Sequence, residues 1–500
     1  MGAPGRSEGA TNATGPEARV ALANGLLSGN PPGSVEHERG LELLRAEAAA
    51  DGGAHARWLL GAYYLQVSSR SGAHSQALHW LGRAAADGIP PAVDRLADLH
   101  LSGLGGKASP ESALSLQLRL ADQCYQRAAW EAAYLLDNLG PLDGLDAASA
   151  FLRACALGYP PAYYSLGLRF ATGDGVGRDV GFGVALLRRA ADGGFAGAAE
   201  AAAAFAAGDD GKSDWYARLK INLHEAHPLL AGLVPGRPDG LRPAHPMVYQ
   251  LERHLVSIGH PALGLDGDGR AVVAPDFAAR RVPGPRAWTW LSTQPRVAVC
   301  PGFATAEECA HLVNKVAAAL KPAAEYRRGN SANENAELES FSGRGHPIAA
   351  LHTDSVTRML ERRVAAMAQW PMEQLEPCSI ICYRPGEEYS PHVDFFSDEQ
   401  IAANARLRRD FGGQRVATFL VYLKAPAAGG ATSYLHSGLD VVGEDGMGVI
   451  HYNVTPDGAQ DPASVHAGRP VVSGEKWLWR STLRAHSLYG GDGVEADPPA

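Results

Sequence analysis

The 500 residues include 45 lysines and arginines against 54 acidic residues, giving a formal net charge of −9, and 46% of them are hydrophobic. That length suits two or three domains of ordinary globular composition, and an acidic balance without a basic stripe argues against nucleic acid as a partner. Six cysteines with no CxxC pair make neither a disulfide framework nor a zinc ribbon.

In chain order, residues 1–35 are rich in Gly, Pro and Ala and lack an apolar signal core, so a disordered tail is expected rather than a secretory sequence. From 36 to 207 a short motif recurs with a period of about 36 residues, which indicates stacked helical repeats. It reads AAADG around Asp51 and Asp87, RLADQ around Asp122, RACALG around Leu157 and RAADG around Asp192. The steps Leu60-Gly61, Leu96-Ala97 and Leu166-Gly167 supply small residues where paired helices approach. A solenoid of this kind has an extended concave face, either a platform for a protein partner or an inert appendage. Residues 208–290 form a linker and accessory segment. Its stretch LDGDGRAVVAPDF has hairpin turn chemistry and suggests a strand pair laid on the following domain.

Residues 291–487 read as a second domain, followed by a tail over 488–500. PRVAVC is a strand and ATAEECAHLVNKV a helix, with Thr305 as N-cap and Glu308 completing a capping box. A second helix spans Thr353 to Gln369, with Val356, Leu360, Val364 and Met367 at helical spacing. Between the two, residues 326–345 are polar and aperiodic, as in a lid over a site. From 376 to 487 come short β-branched and aromatic runs, CSIICY, RVATFLVYL, GVIHYNV and PVVSGEKWLW, separated by turns such as AAGGA and TPDG. That pattern belongs to an all-β sandwich or barrel. Cys378 and Cys382 fall in an apolar strand as core thiols, which favours a reducing cytoplasm, and no membrane partner is expected.

The chemistry concentrates in YSPHVD. Positions two apart on a strand point to one side, so His392 and Asp394 can converge, and His466 on a later strand can join them. Two histidines and one carboxylate with open positions suit non-haem Fe(II). Zinc accepts similar donors but leaves Lys476 unexplained. A lysine in a barrel is tolerable if a carboxylate pairs with it; otherwise it snorkels to the surface. Tyr383 is either a core tyrosine or a pocket hydroxyl. Thr418 can offer a hydroxyl into the same cavity as a co-substrate contact, or serve β-propensity alone. His451 lacks a carboxylate at strand spacing and reads as a pocket, second-layer or core histidine.

YRPGEEYSPHVDFF, RVATFLVYL, Gly429-Gly430 and SVHAGRPVVSGEKW together resemble the catalytic domain of the prolyl 4-hydroxylase type of 2-oxoglutarate- and Fe(II)-dependent dioxygenases, over roughly Pro295 to His486. The amino-terminal motif resembles Sel1-like repeats, relatives of tetratricopeptide repeats. The resemblance implies a multidomain α plus β chain, a helical repeat solenoid followed by a double-stranded β-helix, or jelly roll, with flanking helices. It implies His392, Asp394 and His466 as iron ligands, Lys476 as partner of the distal 2-oxoglutarate carboxylate, and Tyr383 as a hydrogen-bond partner of the same co-substrate. Fe(II), 2-oxoglutarate, molecular oxygen and ascorbate as reductant follow on the same ground. The reaction implied is hydroxylation of a peptidyl-prolyl or related side chain with decarboxylation of 2-oxoglutarate to succinate. Alternatives are hydroxylation of a free amino acid or small metabolite, and a repeat-based interaction scaffold with a low-activity oxygenase domain. Three departures touch the substrate pocket. Ala431-Thr432-Ser433-Tyr434 stands where relatives usually show Glu and then Phe-Pro, His451 replaces an apolar aromatic, and Thr482 replaces a tryptophan.

Overall fold

The computed structural model describes residues 15–67, 72–142, 144–206, 214–219, 246–277, 286–323, 341–403 and 412–489. Positions 1–14, 490–500 and the larger part of the expected lid at 326–345 lie outside them.

The first half is an antiparallel helical array: α1 (Pro16–Gly29), α2 (Val35–Ala49), α3 (Ala54–Gln66), α4 (Ala73–Ala86), α5 (Pro90–Ser102), α6 (Pro110–Ala121), α7 (Gln126–Leu139), α8 (Ala147–Ala156), α9 (Pro160–Thr172), α10 (Val180–Asp192) and α11 (Ala198–Ala206). Ser34, Ser109, Asp146 and Asp179 cap α2, α6, α8 and α10 by accepting the amide three residues on, which satisfies donors the helix itself leaves free. Glycine in the recurring Leu-Gly step is there for space. A Cβ on Gly61 would lie 2.6 Å from the Leu81 side chain, and one on Gly167 would lie 3.0 Å from the Gly183 carbonyl oxygen and from the Leu187 side chain.

The expected tail is corrected at its end. Residues 16–29 are α1, with Ala23 fully buried and Val20 and Leu27 packed on the cluster of Leu41 and Leu44. Arg19 forms an ion pair with Glu47. Alanine and glycine are so frequent in α1 that its few apolar anchors do not stand out as a stripe.

The accessory segment is also corrected. It forms α12 (Pro246–Val256) and the hairpin of β1 (Leu263–Leu265) and β2 (Ala271–Val273), and it packs on α8 of the array instead of the barrel. Val273 N donates to Ser149 Oγ at 3.0 Å. Arg153 meets Asp266 at 3.3 Å, and Arg270 reaches both Glu252 at 2.9 Å and Asp122 at 3.2 Å. These complementary charges on the array side hold the hairpin there.

The second domain begins with β3 (Thr289–Thr293), β4 (Arg296–Cys300), α13 (Ala306–Val316), β5 (Lys321–Pro322), β6 (Arg344–Pro347) and α14 (Ser355–Ala368). Thr305 and Glu308 form the expected capping box. There follow β7 (Ser379–Tyr383), β8 (Tyr389–His392), α15 (Asp398–Ala403), β9 (Arg415–Lys424), β10 (Ala428–Gly429), β11 (Thr432–Tyr434), β12 (Leu439–Val441), β13 (Gly448–Tyr452), β14 (His466–Gly468), β15 (Val471–Ser473) and β16 (Lys476–Arg484). The larger sheet runs β3-β4-β13-β9-β16-β7-β6-β5 and the smaller β12-β11-β14-β8, with β10-β15 as a separate pair. The barrel therefore recruits four strands ahead of residue 376, where the sequence placed its start. At the other end Leu488 N donates to Glu373 O at 2.9 Å, and Tyr489 packs edge-on against His74 of the array, ring centres 4.3 Å apart. The described chain thus continues two residues past the expected boundary.

Strand alternation divides the core. From β9, Ala417, Phe419, Val421 and Leu423 face Cys309, Leu312, Val356 and Leu360 of α13 and α14, while Leu420 and Tyr422 face inward onto Ile381, Tyr383, Tyr434 and Leu478. Each fully buried side chain of this size contributes about 1.5–3 kcal/mol. The architecture is a helical solenoid joined to a double-sheet antiparallel barrel.

The solenoid and the barrel are bolted together by polar groups. Glu131 of α7 accepts from Ser355 N at 3.0 Å and Ser355 Oγ at 2.6 Å, where the exposed amides of the α14 N-terminus favour an anion. Arg95 donates to Thr353 Oγ1 at 3.2 Å, and that hydroxyl donates to Asp98 at 2.9 Å. Tyr134 donates to Glu308 at 2.6 Å, and Arg169 pairs with Glu307 at 2.7 Å. The second helices of successive repeats, α5, α7 and α9, are thus covered by the chain's own α13 and α14, so this face is not an open platform for a partner. No helix of the described residues is long and apolar enough to cross a membrane.

Candidate metal centre and co-substrate pocket

His392 ends β8 and His466 opens β14, and antiparallel pairing sets these two residues opposite each other. Asp394 follows two positions after His392. One ligand atom from each of the three lies within 4.8 Å of the others, and among the described residues this is the group of His, Cys, Asp or Glu that converges so. His392 Nε2 is 3.7 Å from Asp394 Oδ1, and His466 Nε2 is 3.8 Å from Asp394 Oδ2. The local backbone aims both rings: His392 Nδ1 lies 2.8 Å from Ser390 O and His466 Nδ1 lies 3.0 Å from Ser464 O. A carbonyl only accepts, so each Nδ1 carries the proton and each Nε2 presents its lone pair to the centre. Tyr389 stacks on His392 at 3.7 Å and fixes that ring further.

Burial pushes both imidazoles below their ordinary range, strongly for His466. For Asp394 burial acts upward, but Arg480, His451, His466 and His392 outweigh it and hold the carboxyl well below the usual value. Neutral imidazoles beside an ionised carboxylate are the donor states that a divalent metal needs.

The carboxylate is anchored from behind by the larger sheet, where pairing places His451 and Thr482 on either side of Thr418. Thr418 Oγ1 donates to Asp394 Oδ2 at 2.6 Å and accepts from Asn453 Nδ2 at 3.2 Å. Its proton is therefore committed to the carboxylate, which corrects the expectation of a co-substrate contact. His451 Nε2 is 3.3 Å from the same Oδ2, and Arg480 Nη2 is 3.5 Å from Oδ1. The carboxylate partner of His451, absent at strand spacing, arrives across the barrel.

Lys476, at the start of β16, is 2% exposed and pairs across the sheet with Tyr383. Its Nζ donates to Thr432 Oγ1 at 3.1 Å, with the rings of Tyr422 and Tyr383 at 5.2 and 5.6 Å. Among the described residues no carboxylate lies within ion-pair distance of it, and burial pulls its pKa down to about 7. Thr432 is a pocket residue that sequence reading missed. Its signal was the period of two, which sets Thr432 and Tyr434 on one face of β11, where they pair with Gly468 and His466. The ammonium therefore touches the strand that also pairs with the ligand His466, two positions, or about 7 Å, further along it. A buried cation without a counter-ion on the strand beside an N,N,O donor set fits a short dicarboxylic acid bridging both, so the residues present suit Fe(II) and 2-oxoglutarate.

Residues 378–481 match the 2OG-Fe(II) oxygenase superfamily. Prolyl 4-hydroxylase 5 of Arabidopsis thaliana is 31% identical over 221 residues, which cover 40% of this chain and 71% of that protein. Among solved structures, the viral collagen prolyl hydroxylase of Paramecium Bursaria Chlorella virus-1 aligns at 22% identity over 38% of this chain and 95% of its own, with a TM-score of 0.29. A Sel1 repeat protein from Oxalobacter formigenes aligns at 22% identity over 49% of this chain and 73% of its own, with a TM-score of 0.34. With its donor set, its buried ammonium and a relative of this identity and coverage, the chain belongs to the prolyl 4-hydroxylase family of 2-oxoglutarate- and Fe(II)-dependent oxygenases.

Proposed function

We propose that this oxygenase hydroxylates a peptidyl-prolyl or closely related amino-acid side chain. In this reading His392, Asp394 and His466 hold Fe(II), and Lys476, Tyr383 and Thr432 hold 2-oxoglutarate. The observation that carries it is Lys476, an ammonium buried without a carboxylate beside converging metal donors. When bound, iron, 2-oxoglutarate and oxygen supply oxidative decarboxylation to succinate coupled to hydroxylation of a C–H bond. The chain's own work is to aim two Nε2 lone pairs and one carboxylate, to receive the distal carboxylate of the co-substrate, and to keep water from the enclosed face of the barrel. The names of the curated relatives support a prolyl side chain, and ascorbate serves as reductant on the same family grounds. Buried thiols at Cys155, Cys300, Cys309, Cys378 and Cys382 suit a reducing compartment such as the cytoplasm.

The test is succinate release from 2-oxoglutarate by the full chain with Fe(II), together with mass spectrometry of proline-rich peptides. A gain of one oxygen on proline, lost in Asp394→Ala, is expected. Iron-dependent succinate with oxygen gained only by free amino acids would overturn the peptidyl assignment.

A further inference from the structure

A second cation faces into the barrel from the strand that carries Lys476. Tyr383, Ile381 and Ser379 of β7 pair with Lys476, Leu478 and Arg480 of β16, and Leu420 of β9 pairs with Arg480 from the other side. Ile381, Tyr383, Leu420 and Leu478 all belong to the inner core. Residues paired across antiparallel strands share a face, so Arg480 points into the pocket, four positions, or about 13 Å, along the strand from Lys476. Its Nη2 lies 3.5 Å from Asp394 Oδ1, the oxygen that also faces His392 Nε2 at 3.7 Å. The centre opens on this side. The side chains of Arg480 and His392 are 18% and 19% exposed, against 7% for His466 and 0% for His451.

Charge indicates what that opening receives. The charges of Fe(II), Asp394, Lys476 and a doubly ionised 2-oxoglutarate cancel, so the metal, its co-substrate and these partners are balanced without Arg480. Arginine stays protonated, and here it adds one positive charge to that balanced set, in a site largely withdrawn from water where charges act strongly. We propose that Arg480 is a specificity residue that binds a carboxylate of the substrate, so that the enzyme selects a prolyl or related residue carrying or adjoining a carboxylate. This rests on the reading of His392, Asp394 and His466 as the iron ligands, and it names the substrate class of the proposed function. The planar fork of a guanidinium matches a carboxylate through two parallel N–H···O bonds of about 2.7–2.9 Å. Arg415 and Arg484 meet Glu376 at such lengths, 2.8 and 2.7 Å. The 3.5 Å contact of Arg480 with Asp394 is not a pair of that kind. The carboxylate that fits is either the terminal one of the target residue itself or the side chain of an acidic neighbour.

The experiment titrates ligand pairs anaerobically into the full chain loaded with Mn(II) and 2-oxoglutarate, with calorimetric affinity as the readout. Each pair differs in one carboxylate: a peptide with glutamate or glutamine after its proline, a peptide ending in proline as the acid or the amide, and free proline or prolinamide. In wild type the acid member of at least one pair should bind about 10- to 100-fold tighter, and the pair that shows this identifies the source of the carboxylate. Arg480→Gln should bring the two members of that pair together, and Arg480→Lys should restore part of the difference, while affinities for Mn(II) and 2-oxoglutarate change far less. Weakened Mn(II) binding in Arg480→Gln with the acid preference intact would make Arg480 a prop for Asp394 alone and overturn the proposal. Acid and neutral members that bind alike, or not at all, in every wild-type pair would overturn it too, whether or not Arg480→Gln folds. An acid preference confined to free proline, and lost in Arg480→Gln, would end the peptidyl reading and leave the role of Arg480 standing.

Discussion

Replacing Lys476 by methionine should move two properties in opposite directions. Lowering this ammonium from an ordinary 10.5 to about 7 corresponds to roughly 5 kcal/mol at 1.36 kcal/mol per unit. That is an upper bound on what the buried charge costs the protein before co-substrate binds. Because the folded-state value is the depressed one, the penalty is complete below about pH 7 and fades as pH rises toward 10.5. Methionine keeps the stem's volume and places a thioether beside Tyr422 and Tyr383, at the loss of one hydrogen bond to Thr432, about 1 kcal/mol. Lys476→Met should therefore unfold at higher denaturant than wild type without 2-oxoglutarate, by about 1–4 kcal/mol, with the difference shrinking as pH rises above about 7. The same change removes the partner of a buried carboxylate, worth about 3–5 kcal/mol, so affinity for 2-oxoglutarate should fall about 100-fold or more. Wild-type affinity should also decline above about pH 7 as the amine loses its proton. Urea unfolding and calorimetric titration of 2-oxoglutarate in the presence of Mn(II) measure the two arms. A variant less stable than wild type that binds 2-oxoglutarate equally well would refute the reasoning.

Glu376 accepts from Arg415 at 2.8 Å and Arg484 at 2.7 Å. Burial acts upward, but both arginines outweigh it and bring the carboxyl to about 2. The resulting stability, about 3 kcal/mol, is present above pH 4.5 and lost as pH falls toward 2, so acid unfolding of Glu376→Gln should show a shallower dependence on pH across that window. Deleting the array should lower the thermal midpoint of the barrel and expose α13 and α14, because Glu131, Asp98, Tyr134 and Arg169 leave with it. An excised 286–489 fragment with wild-type melting would contradict this. Thr418→Val should weaken Mn(II) about tenfold or more while leaving 2-oxoglutarate affinity at saturating metal nearly unchanged, as read by titration calorimetry; a loss confined to 2-oxoglutarate would return Thr418 to a co-substrate contact.

The ligand positions were legible because their geometry is local. His392 and Asp394 sit at strand spacing beside a turn, and Lys476 ten residues after His466 opens the next long strand, so alternation alone decides which way these side chains point. The partners that hold Asp394 were not legible. Thr418 and His451 lie 24 and 57 residues from it across strands, and their meeting depends on the register of β9 and β13, which periodicity does not reveal. The polar residues of α5 and α7 were silent for a different reason. Charge alone does not separate a solvated helix face from a buried one, yet Asp98 and Glu131 are buried against the N-terminal end of α14. The hairpin after α12 was recognised by its turn, but only complementary charge fixed which neighbour it joined.

The most direct test of the account is anaerobic addition of Fe(II) and then 2-oxoglutarate to the full chain, followed by visible absorption. A charge-transfer band that requires both additions, disappears in Asp394→Ala and needs far higher 2-oxoglutarate in Lys476→Met is the expected result. A band that survives Asp394→Ala, or one that forms in Lys476→Met at the wild-type concentration, would contradict the assignment of these residues to one ferrous centre and its dicarboxylate.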